Sequence, residues 1–201
     1  MESCAPEKTR VRNPEEPPSR LPGDLVVWFF VGLELATFGL LFLAFAFTKL
    51  MQPVVFAVGQ ASLDQTVGAI NTLLLISASA CAAHTLANVR AGRHRAATHW
   101  LGAALLLGLG FLFFKSREYM DKWQAGVDFA SNDFYMLWTI LTGFHFMHVV
   151  AGCVIFALLL HPVSRGRYNA QDCNALESGC VFWHMVDLLW IVLFPLVYLL
   201  V

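Results

Sequence analysis

Charge is scarce in this chain. Of 201 residues, 13% are Asp, Glu, Lys or Arg and 58% are apolar, with a mean hydropathy of +0.62; a soluble domain carries about a quarter charged residues. The shortage excludes an ordinary soluble domain and points to a bilayer. A net charge of −1 leaves no global field to attract nucleic acid or a strongly acidic partner. Catalytic signatures are missing as well. No G-x-x-x-x-G-K-[ST] loop, H-E-x-x-H, C-x-x-C-H or G-x-S-x-G occurs, so nothing assembles an NTPase, a zinc protease, a c-type haem attachment or a nucleophile elbow. The five cysteines (Cys4, Cys81, Cys153, Cys173, Cys180) form no C-x-x-C pair and read as small apolar residues. No internal repeat of the kind that marks many transporters is visible.

The first 24 residues, "MESCAPEKTRVRNPEEPPSRLPGD", have Pro and mixed charge but no apolar core, which excludes a secretory signal. They read as a flexible cytoplasmic tail, 1–24, ahead of a transmembrane domain over 25–201. Five continuous apolar stretches, roughly 25–48, 67–89, 98–116, 134–161 and 179–201, each approach the ~20 residues a spanning helix needs. Lipid demands internally satisfied backbones, so the expected fold is all-α: a polytopic membrane protein with five transmembrane helices in one bundle. Basic residues set the orientation. The tail, the 90–97 loop and the 162–178 loop carry nine (Lys8, Arg10, Arg12, Arg20, Arg90, Arg93, Arg95, Arg165, Arg167), against four on the opposite side (Lys49, Lys115, Arg117, Lys122). The N-terminus is therefore expected inside and the C-terminus outside. "SASACAA" and "GAALLLGLG" in the second and third stretches offer small side chains for close helix approach.

Ionisable groups at membrane depth cost about 2.5–3.5 kcal/mol on insertion scales and should face the bundle, a partner or water. Glu34 sits within "LVVWFFVGLELATFGLLFLAFAF" with no cation in helical reach; it is either a functional acid or a neutral carboxyl bonded to a neighbouring helix. In "GFHFMHVVAG", His145 and His148 are three apart, within about 60° on one helix face. They suit interhelical hydrogen bonding, or a metal or haem site; two axial haem ligands would need a second helix, such as that of His184. In "LESGCVFWHMVDLLW", Glu177 and His184 are seven apart and lie within about 20° of each other. Asp187 broadens that stripe, and Trp183 and Trp190 flank it as interfacial aromatics. At "FFKSREYMDKW", Lys115 and Glu118 can meet at i, i+3, and Tyr119 can sit at the headgroups. This reads as a polar helix end with a weak ion pair.

Together these residues resemble the subunit III family of haem–copper oxidases. "ESGCVFWHMVDLLWIVLF" is similar to that family's E-x-x-x-x-[YF]-W-H-x-V-D-x-x-W-I signature through Glu177, Trp183, His184, Val186, Asp187 and Trp190. "GFHFMHVVAG" matches F-H-x-x-H-V-x-x-G through His145, His148 and Gly152. "AINTLLLISAS" resembles L-N-T-x-x-L-L-x-S through Asn71 and Thr72, and "KSREY" resembles [QK]-x-x-E-Y through Glu118 and Tyr119. Glu34 falls where the family has a carbodiimide-reactive intramembrane carboxylate, although Leu33 replaces the usual preceding Ser.

The resemblance covers about residues 22–201. It implies an accessory subunit with no redox centre or cofactor of its own, bound to the side of a catalytic subunit. It also implies structural phospholipid and support for the partner's proton uptake and turnover, in the bacterial cytoplasmic membrane. The two extra N-terminal helices of the seven-helix form are not seen, and "GQASLDQTVGAINTLLL", "LTGFHFMHV" and "VDLLWIVLFPLVYLL" look most like the branch associated with nitric oxide reductase. On this reading Glu177 and His184 face His145 or His148 across the bundle, with Asp187 beside them, as one buried polar cluster that fixes helix register. Polar pairs in membranes are worth ~0.6–2 kcal/mol. Two other classes stay open: a self-standing conductor of protons or a small solute, with Glu34 as its acid, and a bis-histidine haem protein that transfers electrons.

Overall fold

A computed structural model describes residues 23–128, 131–169 and 171–200. The tail expected over 1–24 lies almost wholly outside these residues. Six α-helices follow in order: α1 (Leu25–Met51), α2 (Pro53–Ala61), α3 (Gln65–Arg90), α4 (His94–Gln124), α5 (Asp133–Ser164) and α6 (Asn174–Phe194), the last continued by a π-helical turn, Pro195–Leu199. Among the described residues there is no strand. All but α2 are long and apolar enough to cross a membrane, with α6 and its final turn counted as one span, as the five apolar stretches predict.

Local chemistry sets the boundaries. Asp64 caps α3, its carboxylate accepting from Thr66 N at 2.8 Å and Val67 N at 3.2 Å; Asn132 caps α5 through Tyr135 N at 3.0 Å. Gly92 ends the α3 turn with φ 72°, in the left-handed region that glycine tolerates. The short helix α2 opens on Pro53, whose missing N–H costs nothing at a first helical position.

Helix α6 is the hub: it packs on α1, α3 and α5, while α3, α4 and α5 pack in sequence around it and α3 with α4 form the most extensive pair. Within the spans, 56% of the most apolar window of α6 is buried but only 11% of that of α1, so α1 is the outermost helix. Three helices meet at Trp183. Its ring stacks on Phe156 at 4.7 Å and fills the space left by Gly108 on α4 and Gly152 on α5, where an added Cβ would come within 2.7 Å of it.

The last span ends at Leu199, and its final carbonyls, which have no further turn to bond, find side-chain donors. Gln60 Nε2 donates to Leu196 O at 3.1 Å and Val197 O at 3.0 Å, and Gln65 Nε2 donates to Tyr198 O at 3.1 Å. Helix-end carbonyls buried away from water must be satisfied in this way. The helix α2 is thus a plug that closes the end of the bundle.

Two expectations are corrected here. Trp183 and Trp190 are not interfacial: both are 0% exposed, because one fills the glycine gap and the other packs edge-on with Phe111 at 4.9 Å while its Nε1 donates to Thr72 Oγ1 at 2.9 Å. Nor does α4 end near residue 116. It continues to Gln124, because Lys115 and Glu118 on its inner face are buried against Tyr198 of the π-helical turn.

Candidate functional site

The polar side chains of the bundle fall into separate groups. At the start of α6, the Glu177 carboxylate accepts from Arg90 Nη2 at 2.7 Å, Gly23 N at 3.0 Å and the Cys173 thiol at 3.0 Å. Ser178 Oγ accepts from Asp24 N at 3.1 Å. A carboxylate in the first turn is favoured by the helix dipole, and here it also ties the end of α3 to the segment before α1. Burial pushes the Cys173 thiol up, and the adjacent Glu177 adds to the effect, so Cys173 serves as a thiol donor at neutral pH.

About two turns deeper, His184 Nδ1 lies 2.6 Å from Ser79 Oγ on α3. Asp187 is 8% exposed, and its Oδ1 has no hydrogen-bond partner. The His184 side chain itself is open to the surface.

Glu34 on α1 meets His148 on α5, Oε2 to Nε2, at 3.2 Å. His148 Nδ1 is 2.8 Å from Phe144 O, and a carbonyl can only accept, so Nδ1 carries a proton. Nε2 and Glu34 Oε2 are within ion-pair distance but are not aligned as a hydrogen bond, and Glu34 Oε2 is buried without a hydrogen-bond partner. Rings of Phe38 at 5.5 Å, Phe144 at 5.4 Å and Phe182 at 6.3 Å enclose the imidazole.

His145 is fully buried between Phe111 and Trp190, and neither ring nitrogen has a hydrogen-bond partner. One turn further along, Lys115 is buried completely. Its Nζ bonds Glu118 Oε2 at 2.8 Å and Tyr198 OH at 2.6 Å, and Tyr198 OH lies 2.8 Å from Glu118 Oε1. The rings of Trp138 at 4.9 Å, Tyr119 at 5.1 Å, Tyr198 at 5.3 Å and Trp190 at 5.8 Å surround the ammonium, an arrangement that attracts a desolvated cation. Tyr119 does not sit at the headgroups; it turns inward and donates to Thr142 Oγ1 at 2.8 Å.

The single cluster expected of His145, His148, Glu177, His184 and Asp187 is therefore not formed. The stripe of Glu177, His184 and Asp187 faces α3, where Arg90 and Ser79 meet it. Trp183 and Trp190 occupy the neighbouring side of α6 and fill the space toward α5, so His145 meets a ring and His148 turns to α1. The helix-end pair Lys115–Glu118 is likewise a buried network.

Sequence reasoning missed Ser79 and Tyr198 as partners; a hydroxyl among "SASACAA" and a tyrosine after Pro195 were the available signals. Among the described residues, no three His, Cys, Asp or Glu side chains converge as metal ligands would. The arrangement offers fixed polar contacts between helices, a buried Glu34–His148 pair, and an exposed imidazole.

A model of the family described as cytochrome c oxidase subunit III matches residues 24–201. Cytochrome c oxidase subunit 3 of Synechocystis sp. is 32% identical over 176 residues, 87% of this chain and 74% of that protein. The subunit 3 of Thermostichus vulcanus is 31% identical over 187 residues, 92% of this chain and 90% of its own. Heme-copper oxidase subunit I+III of Aeropyrum pernix is 26% identical over 181 residues, covering 86% of this chain and 22% of that longer protein.

Proposed function

The chain belongs to the cytochrome c oxidase subunit III family, and from that premise we propose that it is a non-catalytic subunit of a respiratory haem–copper complex in the bacterial cytoplasmic membrane. Its partner is the catalytic subunit, of a nitric oxide reductase first and of a terminal oxidase second. The observation that carries this reading is the Aeropyrum protein, whose name joins subunits I and III in one chain: a family that can be fused to subunit I works beside it. The nitric oxide reductase branch rests on the resemblance of "GQASLDQTVGAINTLLL" and "VDLLWIVLFPLVYLL". The subunit holds no redox centre of its own and contributes structure. A groove of about 540 Å³ between α1, α2 and the final turn, apolar but for Lys49, suits the acyl chain and phosphate of a structural phospholipid.

A mild-detergent pull-down of the tagged chain from native membranes, with mass spectrometry of proteins and lipids, tests this. Recovery of a haem–copper catalytic subunit with bound phospholipid is expected, and its identity separates reductase from oxidase. Recovery of this chain alone would overturn the reading in favour of a self-standing conductor.

The intramembrane carboxyl of Glu34, 3.2 Å from His148 Nε2, is the feature suited to supporting the partner's proton uptake. Glu34→Gln keeps the shape and removes the acid. In the recovered complex it should slow proton uptake and hasten inactivation during turnover; unchanged values for both would leave Glu34 a purely structural acid.

A further inference from the structure

Trp100 and Trp123 on α4 are exposed, at 40% and 76%, and stand about 35 Å apart along the helix at 1.5 Å per residue. That spacing lies between the height of a hydrocarbon core and that of a whole bilayer, and exposed tryptophan collects at the two edges. Glu118 lies inside Trp123, about 7.5 Å below the edge. Its side chain nevertheless keeps 6% of its surface exposed, while that of Lys115 keeps none.

A crevice of about 220 Å³ opens at this end of the bundle, lined by Ser62, Asp64, Arg117, Glu118, Asp121 and Lys122, with Val67 and Phe114 as its apolar walls. Its rim is charged. Asp64 is held by the α3 cap and Lys122 by Ser62, whose Oγ lies 3.2 Å from Nζ, while Arg117 and Asp121 are exposed. Such walls suit water and not an acyl chain, and the volume holds several waters at ~30 Å³ each. A second groove, of about 270 Å³, runs on the other flank of α4; Tyr119 and Trp138 line it, but Lys115, Glu118 and Tyr198 do not.

Inward of Glu118 the path stops. Glu118 Oε1 accepts from Tyr198 OH at 2.8 Å and Oε2 from Lys115 Nζ at 2.8 Å, and Lys115 is enclosed by rings. His145, deeper in the bundle, is fully buried with no hydrogen-bond partner on either nitrogen. Among the described residues, no hydrogen-bonded chain joins Lys115 to it. A proton that arrives from the crevice can bind the Glu118 carboxylate and go no further.

We infer that this crevice is a proton well: a water-filled recess through which Glu118, inside the span, exchanges protons with the aqueous phase at the end of the molecule away from Arg90. Glu118 meets Lys115 and Tyr198 on its inner side and shares the crevice with Asp64, Arg117, Asp121 and Lys122, so its charge is set between a buried ammonium and a rim of mixed sign. Loading it with a proton removes the counter-charge of Lys115 and weakens the acceptor that holds Tyr198. The final turn is then the element that feels the proton.

Carbodiimides test the access. A reagent with a fixed quaternary ammonium charge stays in water, whereas dicyclohexylcarbodiimide enters hydrocarbon. Lys115 gives its proton to the carboxylate, the carboxyl adds across the carbodiimide to form an O-acylisourea, and the freed amine displaces a urea; an amide joins the two side chains and the protein loses one water. With the full chain in phosphatidylcholine vesicles and charged reagent on both sides, mass spectrometry should find Glu118 coupled, to Lys115 within the pair or to Lys122 across the crevice. Asp121→Trp, which fills the rim, should lower the yield at least fivefold and Asp121→Asn should not; equal thermal unfolding of the two variants shows that both are folded. Coupling of Glu118 by dicyclohexylcarbodiimide alone would place the carboxylate against lipid, and reaction with neither reagent would make the pair a sealed core; each overturns the inference. So would an undiminished yield in Asp121→Trp, since the reagent would then enter by another route. The comparison of the two reagents on the unaltered chain stands whatever the variants do.

Discussion

Lys115 has no exposed surface, and a lysine at that depth persists only because Glu118, Tyr198 and four aromatic rings replace its water. Breaking a buried pair by removing one member leaves an uncompensated charge and costs ~3–5 kcal/mol, whereas replacing both by apolar residues of similar volume can be neutral. Lys115→Met or Glu118→Leu alone should therefore lower the midpoint of thermal unfolding in detergent substantially. The double substitution should recover most of the loss. If the double variant is as unstable as the singles, the pair contributes net stability instead of merely cancelling its own burial. The sequence shows that these two residues can meet, since i, i+3 places them on one face; it does not show that Tyr198, eighty or more positions later, arrives to cover them, which is why the pair reads as a helix end.

Individual elements differ in how legible they are. Continuous apolar runs identify all five spans, because a bilayer imposes one length and one backbone solution. The plug α2 is invisible by the same logic: nine residues cannot cross a membrane, and its contribution, Gln60 on the terminal carbonyls of the last span, depends on a contact 136 residues away in sequence. Helical angle alone places His145 and His148 on one face and groups Glu177 with His184, and both statements hold. What angle cannot supply is the neighbour opposite. Gly108 and Gly152 admit the Trp183 ring, so the tryptophan side of α6 turns to α4 and α5, and the acidic and histidine side is left for α3.

Taken whole, the molecule has two unlike ends. Arg90 and Glu177 close one end; Lys49, Gln60 and the final turn close the other, with Lys49 Nζ reaching Gln60 Oε1 at 3.1 Å and also the Leu200 carbonyl. The excess of basic residues on the Arg90 side predicts that this end faces the cytoplasm. With Ala91→Cys and Ala125→Cys in turn, an impermeant thiol reagent on intact cells should label only the second until the membrane is opened. Labelling of position 91 from outside would reverse the orientation. The Lys115 network also has a consequence for synthesis. Helix α4 leaves the ribosome 83 residues ahead of the phenol that completes its cation's shell, so it enters the membrane with Glu118 as the only ionic counterweight. Until α6 follows, the inserted chain is an open intermediate with a half-shielded charge, a state in which a membrane insertase or the partner subunit has something to hold.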